Sequence, residues 1–245
     1  MGQESQLGLS FLLTVALLTA PALSANLPVA PAFAVPVLCT DSPSARTKVR
    51  GTAIVLDASG MIVTAAHVIL ESPPSCVLTV IVPNDDWSRA RGFHPFAVQR
   101  CSSNDLLDLA LCHIQPIESS RDWSFVRAAP LSTRPPTPNS AVTITGFTGW
   151  GFLPTVISSH VLSPAQLYRR QDGCYCDFAI DFAAHAGMSG SPILTSDGDV
   201  VGVLTTAGTG KFRGISFGTS MERADSFLRR AGLNSLAASH MMGHR

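Results

Sequence analysis

Short β-branched runs, each closed off by Gly, Pro, Asp, Asn or Ser, follow one another along most of this 245-residue chain. GTAIVLD, MIVTAAHV, VLTVIV, FAVQR, DLALCHI, AVTITGF, TVISSHVL, DFAIDF, SPILT, VVGVLTT and GISFGTS all read as strands between turn residues. A succession of this kind specifies an all-β barrel or sandwich. The first two runs are separated by DASG, with Asp57 at the first and Gly60 at the last position of a tight turn, so they form a hairpin that carries His67 to a strand end. Near the midpoint, APLSTRPPTPNS cannot be a central strand, because proline lacks the ladder donor, and it is read as the link between two β halves.

The halves divide the chemistry-bearing residues between them. His67 ends IVTAAHV and Asp108 opens DLALC in the first half, whereas GMSGSP, Gly187 to Pro192, lies in the second. That hexapeptide places Ser189 two residues after one glycine and immediately before another, a turn that aims a serine outward and leaves backbone N–H groups free to hold an oxyanion. Together the three segments supply a nucleophile, a base and a carboxylate to orient the base. A cleft between the halves is the expected location. His94 precedes a proline, His113 lies on the strand after the aspartate and His160 sits in a polar-flanked strand, so these rivals to His67 are read as structural. His185 is also read as structural, its functional alternative being to line a specificity pocket and hydrogen bond an acidic substrate group. Asp105 belongs to the polar loop SSND, while Asp108 directly precedes the apolar run that would bury it.

Composition narrows the partners. Seventeen basic and seventeen acidic residues cancel, and the doublets Arg169-Arg170 and Arg229-Arg230 are isolated, so nucleic acid is not an expected partner. Before the first cation, Arg46, the segment LGLSFLLTVALLTAPALSA is apolar enough for a signal-peptide core or a short anchor spanning 1–25. Ala22 and Ser24 are placed as at a signal cleavage site, although the head MGQESQ lacks the usual positive charge. Export to a secreted or periplasmic location is expected, with membrane contact only if this segment is retained. Residues 26–47 are proline-rich and read as an extended linker into a domain over 48–232. Six cysteines suit disulfides in an exported protein, and without CxxC-like pairs no metal or cofactor is expected. Cys101 and Cys112 flank SSNDLLD and would face each other on paired strands; Cys174 and Cys176 would close a strained ring together and are expected to bond elsewhere. Thr219 and Glu222 have capping-box spacing, Met221, Ala224, Phe227, Leu228 and Ala231 recur at helical intervals, and Gly232 is placed to stop a packing helix before a frayed tail, 233–245.

In this order, GTAIVLDASGMIVTAAHV, DLAL, GMSGSPIL, GDVVGVLTT and GISFGTS, followed by a helix, the chain from about Lys48 to Gly232 resembles the trypsin-like serine proteases of chymotrypsin fold. Among them it is similar to the bacterial short-loop forms, the HtrA catalytic domains and the glutamyl endopeptidases. The resemblance implies two six-stranded antiparallel barrels, about 48–129 and 140–220, with a helix at about 220–231. It implies a serine endopeptidase acting on peptide or protein substrates through an acyl-enzyme. Ser189 would be the nucleophile, His67 the general base and acid, Asp108 the orienting carboxylate, and Gly187 and Ser189 the oxyanion donors. Met188 stands where digestive members carry an aspartate that pairs with a freed N-terminus, so that activation is not open to this chain. Ala183 to Ala186, His185 among them, match the pocket wall, and Thr205, Thr206 and Ala207 match the strand along which substrate lies. Ala183 occupies the position that sets charge preference, which implies a small or uncharged side chain next to the cut bond. The rival readings are a protease-like module that binds peptide or protein without cutting it and an esterase using the same triad, although Ser191 breaks the esterase elbow GxSxG.

Overall fold

The computed structural model describes residues 29–40, 47–117, 126–149, 152–163, 168–169 and 175–233. The apolar leader, Cys174 and all of the tail but Leu233 lie outside the described residues. Six strands, β1 (Ala34–Thr40), β2 (Lys48–Val55), β3 (Met61–Ala65), β4 (Val77–Pro83), β5 (Phe93–Asn104) and β6 (Leu109–Pro116), close into an antiparallel barrel in the order β1-β2-β3-β6-β5-β4. A second closed antiparallel barrel has the order β11-β14-β13-β12-β7-β8, built from β7 (Ala141–Phe147), β8 (Pro154–Ser163), β11 (Phe178–Ile180), β12 (Pro192–Leu194), β13 (Val200–Ala207) and β14 (Ser216–Ser220). The short pair β9 (Tyr168–Arg169) and β10 (Tyr175–Cys176) forms a separate hairpin. The expected two-barrel, all-β architecture is therefore the fold, and closure gives every barrel strand a neighbour on both sides along part of its length.

The proline-rich stretch before Lys48 departs from the linker reading. Ala34–Thr40 is an almost wholly buried strand of the first barrel, paired with β2 and β4. Its proline is tolerated because Pro36 lies opposite Thr52 of β2 but precedes the point, Val37 opposite Val80, at which β4 begins to pair. Between β2 and β3 the Asp57 carboxylate accepts from Ser59 N and Met61 N at 2.8 and 3.1 Å, and Gly60 takes φ +91°, which locks the hairpin leading toward His67.

The helix α2 (Met221–Arg230) buries Met221, Ala224, Phe227 and Leu228 in the apolar cluster that fills the first barrel. Its cap is Ser220 rather than Thr219: Ser220 Oγ accepts from Arg223 N, while the Thr219 hydroxyl is spent elsewhere. Gly232, at φ +118°, ends the helix as anticipated, with Gly232 N bonding Arg229 O and Leu233 N bonding Leu228 O. Among the described residues two disulfides are present, Cys101–Cys112, the pair expected from the spacing, and Cys39–Cys76. Cys176 is buried with its Sγ 3.2 Å from Thr205 Oγ1. Trp87, Ala30 and Phe147 pack together where the barrels meet, with Trp87 Nε1 donating to Ala34 O at 2.7 Å.

Candidate active site

At the end of β3 the chain turns into a five-residue helix, α1 (Ala66–Leu70), that lacks a side-chain cap of its own. Orphan N–H groups at a helix start need acceptors. Asp108 supplies two of them: its carbonyl accepts from Ala66 N at 3.0 Å and its carboxylate from His67 N at 3.0 Å. The same carboxylate lies 2.8 and 3.0 Å from His67 Nδ1, which fixes the ring and turns Nε2 away from the aspartate. Asp108 is 5% exposed, whereas Asp105 is exposed, so burial separates the two aspartates as the sequence pattern implied. Asp108 adopts φ +50°, a left-handed conformation that Asp tolerates better than most residues, at the step from the β5–β6 connection into β6.

The Ser189 turn is held by the first barrel. Thr52 of β2, fully buried, donates its backbone N–H to Ser189 O at 2.8 Å and its hydroxyl to Gly187 O at 3.0 Å, and the hydroxyl accepts from Phe147 N at 3.1 Å. Gly187 and Gly190 take φ +95° and +90°, which only glycine adopts without strain. At Gly190 there is a second requirement, since a Cβ would stand 1.9 Å from Thr52 O and 2.3 Å from Thr64 Oγ1. Among the described residues, the Gly187 and Ser189 amides donate no hydrogen bond, so both are open to an acceptor. The Ala186 carbonyl accepts from Gly149 N at 3.2 Å, which orients the Ala186–Gly187 peptide.

Gly51 ties the turn to the histidine helix: a Cβ there would lie 2.5 Å from Val68 Cγ2, next in sequence to His67, and 2.9 Å from Ser189 O. His67 and Asp108 are thus directly bonded, and Ser189 is brought to the same place through Gly51 and Thr52. The Ser189 hydroxyl makes no hydrogen bond to a described residue, His67 included.

Ala183 and His185 are exposed, on the segment leading from β11 into the turn. Thr205 is fully buried, with Oγ1 donating to Phe217 O and touching Cys176 Sγ, so its side chain faces the barrel interior and only its backbone is available to a ligand. Thr206 is half-buried and Ala207 exposed. Pairing of β12 with β13 stops at Pro192 opposite Val203, so Thr205 to Ala207 present an edge on that side. His94, His113 and His160 belong to β5, β6 and β8. Among the described residues no three His, Cys, Asp or Glu side chains converge on a metal position, and no helix is long and apolar enough to cross a membrane.

Sequence reading passed over Thr52 and took Thr219 for a helix cap, missing the role of each between the barrels. Thr219, fully buried on β14, donates Oγ1 to Leu107 O at 2.9 Å and so braces the residue before Asp108 from the other barrel. Neither threonine carries a local signal, because their partners lie 135 and 112 positions away in the chain.

The family described as "Trypsin-like peptidase domain" matches residues 51–203. No curated protein matches the sequence. Among solved structures the chain is similar to the MamO protease domain from Magnetospirillum magneticum in its apo form, at 18% identity and a TM-score of 0.61, covering 82% of this chain and 97% of that one. It is equally similar to the Rv3671c protease in its inactive form, 18% identical with a TM-score of 0.61 over 82% of this chain and 90% of that one. The active form of the Rv3671c protease from M. tuberculosis gives 18% identity and 0.60 over 83% and 82%. At this identity the structural likeness speaks for the fold alone.

Proposed function

The chain belongs to the family of trypsin-like peptidase domains, and from that premise we propose that it is a serine endopeptidase working outside the cytoplasm through Ser189, His67 and Asp108. The observation that carries the reading is the His67 Nδ1–Asp108 carboxylate bond at 2.8 Å, made on an aspartate buried to 5% exposure. A carboxylate in that position holds the tautomer in which Nε2 accepts a proton and stabilises the imidazolium that forms. Ser189 Oγ attacks the scissile carbonyl as His67 removes its proton, and the oxyanion forms against the Gly187 and Ser189 amides. His67 then protonates the leaving amine, and a water activated by the same imidazole releases the acyl group. The substrate backbone adds to the edge of β13 at Thr205 to Ala207, main chain to main chain. With Ala183 where charge preference is set, a small or uncharged side chain precedes the cut bond. The disulfides Cys39–Cys76 and Cys101–Cys112 support an oxidising compartment.

A fluorophosphonate probe tests the assignment. Labelling at Ser189 that is lost in Ser189→Ala, with folding retained, is expected; equal labelling of both proteins would reject it. Incubation with a diverse peptide mixture, read by mass spectrometry, separates an endopeptidase from a binding module, which leaves the peptides intact, and from an esterase, which turns over esters alone.

A further inference from the structure

Arg50, beside the Ser189 turn, has no anionic partner among the described residues. Arg50 lies on β2 immediately before Gly51, the glycine wedged between Val68 of α1 and Ser189 O. In the ladder with β1, Val37 pairs with Gly51 and Leu38 with Val49, so Arg50 is the extra residue of a bulge. A bulge re-aims a side chain out of the regular alternation of its strand. Here the guanidinium reaches the end of α1 and donates Nη2 to Glu71 O at 2.9 Å, while Nε is enclosed and has no partner among the described residues. Arg50 makes no ion pair among the described residues. With Nη2 fixing it on the helix end and Nε enclosed, the half-buried guanidinium is held in place and its remaining Nη donors are the ones it offers an anion.

Its position defines which part of a substrate it meets. The Ser189 turn lies between two strands: Thr52 holds Ser189 O on one side, and Leu204 O accepts from Gly190 N on the other. A substrate whose acyl side runs along Thr205 to Ala207 directs its leaving-group side toward Gly51 and Arg50. We propose that Arg50 is a specificity-determining residue that receives a carboxylate from the substrate segment on the leaving-group side of the scissile bond. This rests on the endopeptidase reading above and adds a substrate class to it: peptides carrying an acidic residue shortly after the cut. The chain's formal net charge of zero makes the preference local rather than a general attraction for acidic partners.

The test uses internally quenched peptides that share one acyl-side sequence and carry Glu, Gln or Lys at the first, second or third position after the cut. A further pair ends at that position with a free or an amidated C-terminus, to separate a side-chain carboxylate from a chain-terminal one. At one position the full-length protein is expected to prefer Glu over Gln by about tenfold in kcat/KM, the scale of one charge-assisted hydrogen bond. In Arg50→Gln that ratio falls to near one, and in Arg50→Glu the order of Glu and Lys reverses. The ratios are internal to each variant, so lowered overall activity does not blur them. If Arg50→Glu does not fold, raised salt applied to the parent protein takes its place, and the Glu preference should shrink. Equal cleavage of Glu and Gln peptides at all three positions, or an acid preference that survives in Arg50→Gln, overturns the assignment while the endopeptidase reading stands. Preference for the free terminus alone narrows the carboxylate to an exopeptidase-like end and refutes the side-chain version. If no peptide is cut and Ser189 takes no fluorophosphonate, the endopeptidase reading fails and this inference falls with it.

Discussion

Replacing Thr52 with valine keeps the shape of a fully buried side chain and removes one oxygen. That oxygen donates to Gly187 O at 3.0 Å and accepts from Phe147 N at 3.1 Å, so the substitution strands one acceptor and one donor inside the junction of the barrels. Each buried polar group left unpaired costs about 1–3 kcal/mol, so the pair together costs about 2–6 kcal/mol. The backbone bonds of Thr52, to Ser189 O and from Thr64 Oγ1, survive and keep β2 in place. The loss therefore falls on the Gly187 peptide, whose neighbouring amide is one of the two oxyanion donors of the proposed mechanism. Misplacing one such donor costs on the order of a hundredfold in turnover. Urea denaturation should show a midpoint lowered by roughly 1–2 M at unchanged slope, and turnover of a cleavable peptide should fall in kcat with KM little altered. Thr52→Ser, which keeps the hydroxyl and drops a methyl, should recover most of both. Parent-like stability and kcat in Thr52→Val would refute the claim that this hydroxyl orders the serine turn.

Gly190→Ala and Gly198→Ala impose the same left-handed strain, at φ +90° and +87°, but only Gly190 would push its Cβ into Thr52 O, since nothing lies within 4 Å of Gly198. Denaturation should find about 1 kcal/mol lost at Gly198 and about 3 kcal/mol or more at Gly190; equal losses would show that the barrels yield at this contact. Asp108→Asn should lower kcat on the order of ten-thousandfold in steady-state peptide cleavage, because the amide no longer enforces the required His67 tautomer. Removing the Cys101–Cys112 disulfide with paired alanines should cost roughly 3 kcal/mol for its 11-residue separation and reduce activity, since that loop contains Asp108.

Local chemistry wrote much of this protein into its sequence. β-branched runs and turn residues announced short strands, DASG announced the hairpin behind His67, and the glycines of GMSGSP announced a turn at Ser189, because each signal acts over a few residues. The Cys101–Cys112 pairing was legible for the same reason. Burial needs a neighbour from elsewhere, and there sequence reading stopped. Ala34–Thr40 looked like linker because the prolines in and around it are local facts, whereas its partners in β2 and β4 are not. Thr219 looked like a helix cap until its hydroxyl was spent on Leu107 O, and Ser220 took the cap instead. Which threonines brace the two halves was decided only when the barrels set segments more than a hundred residues apart against one another, and where a bulge aims Arg50 was decided by the pairing of β2 with β1.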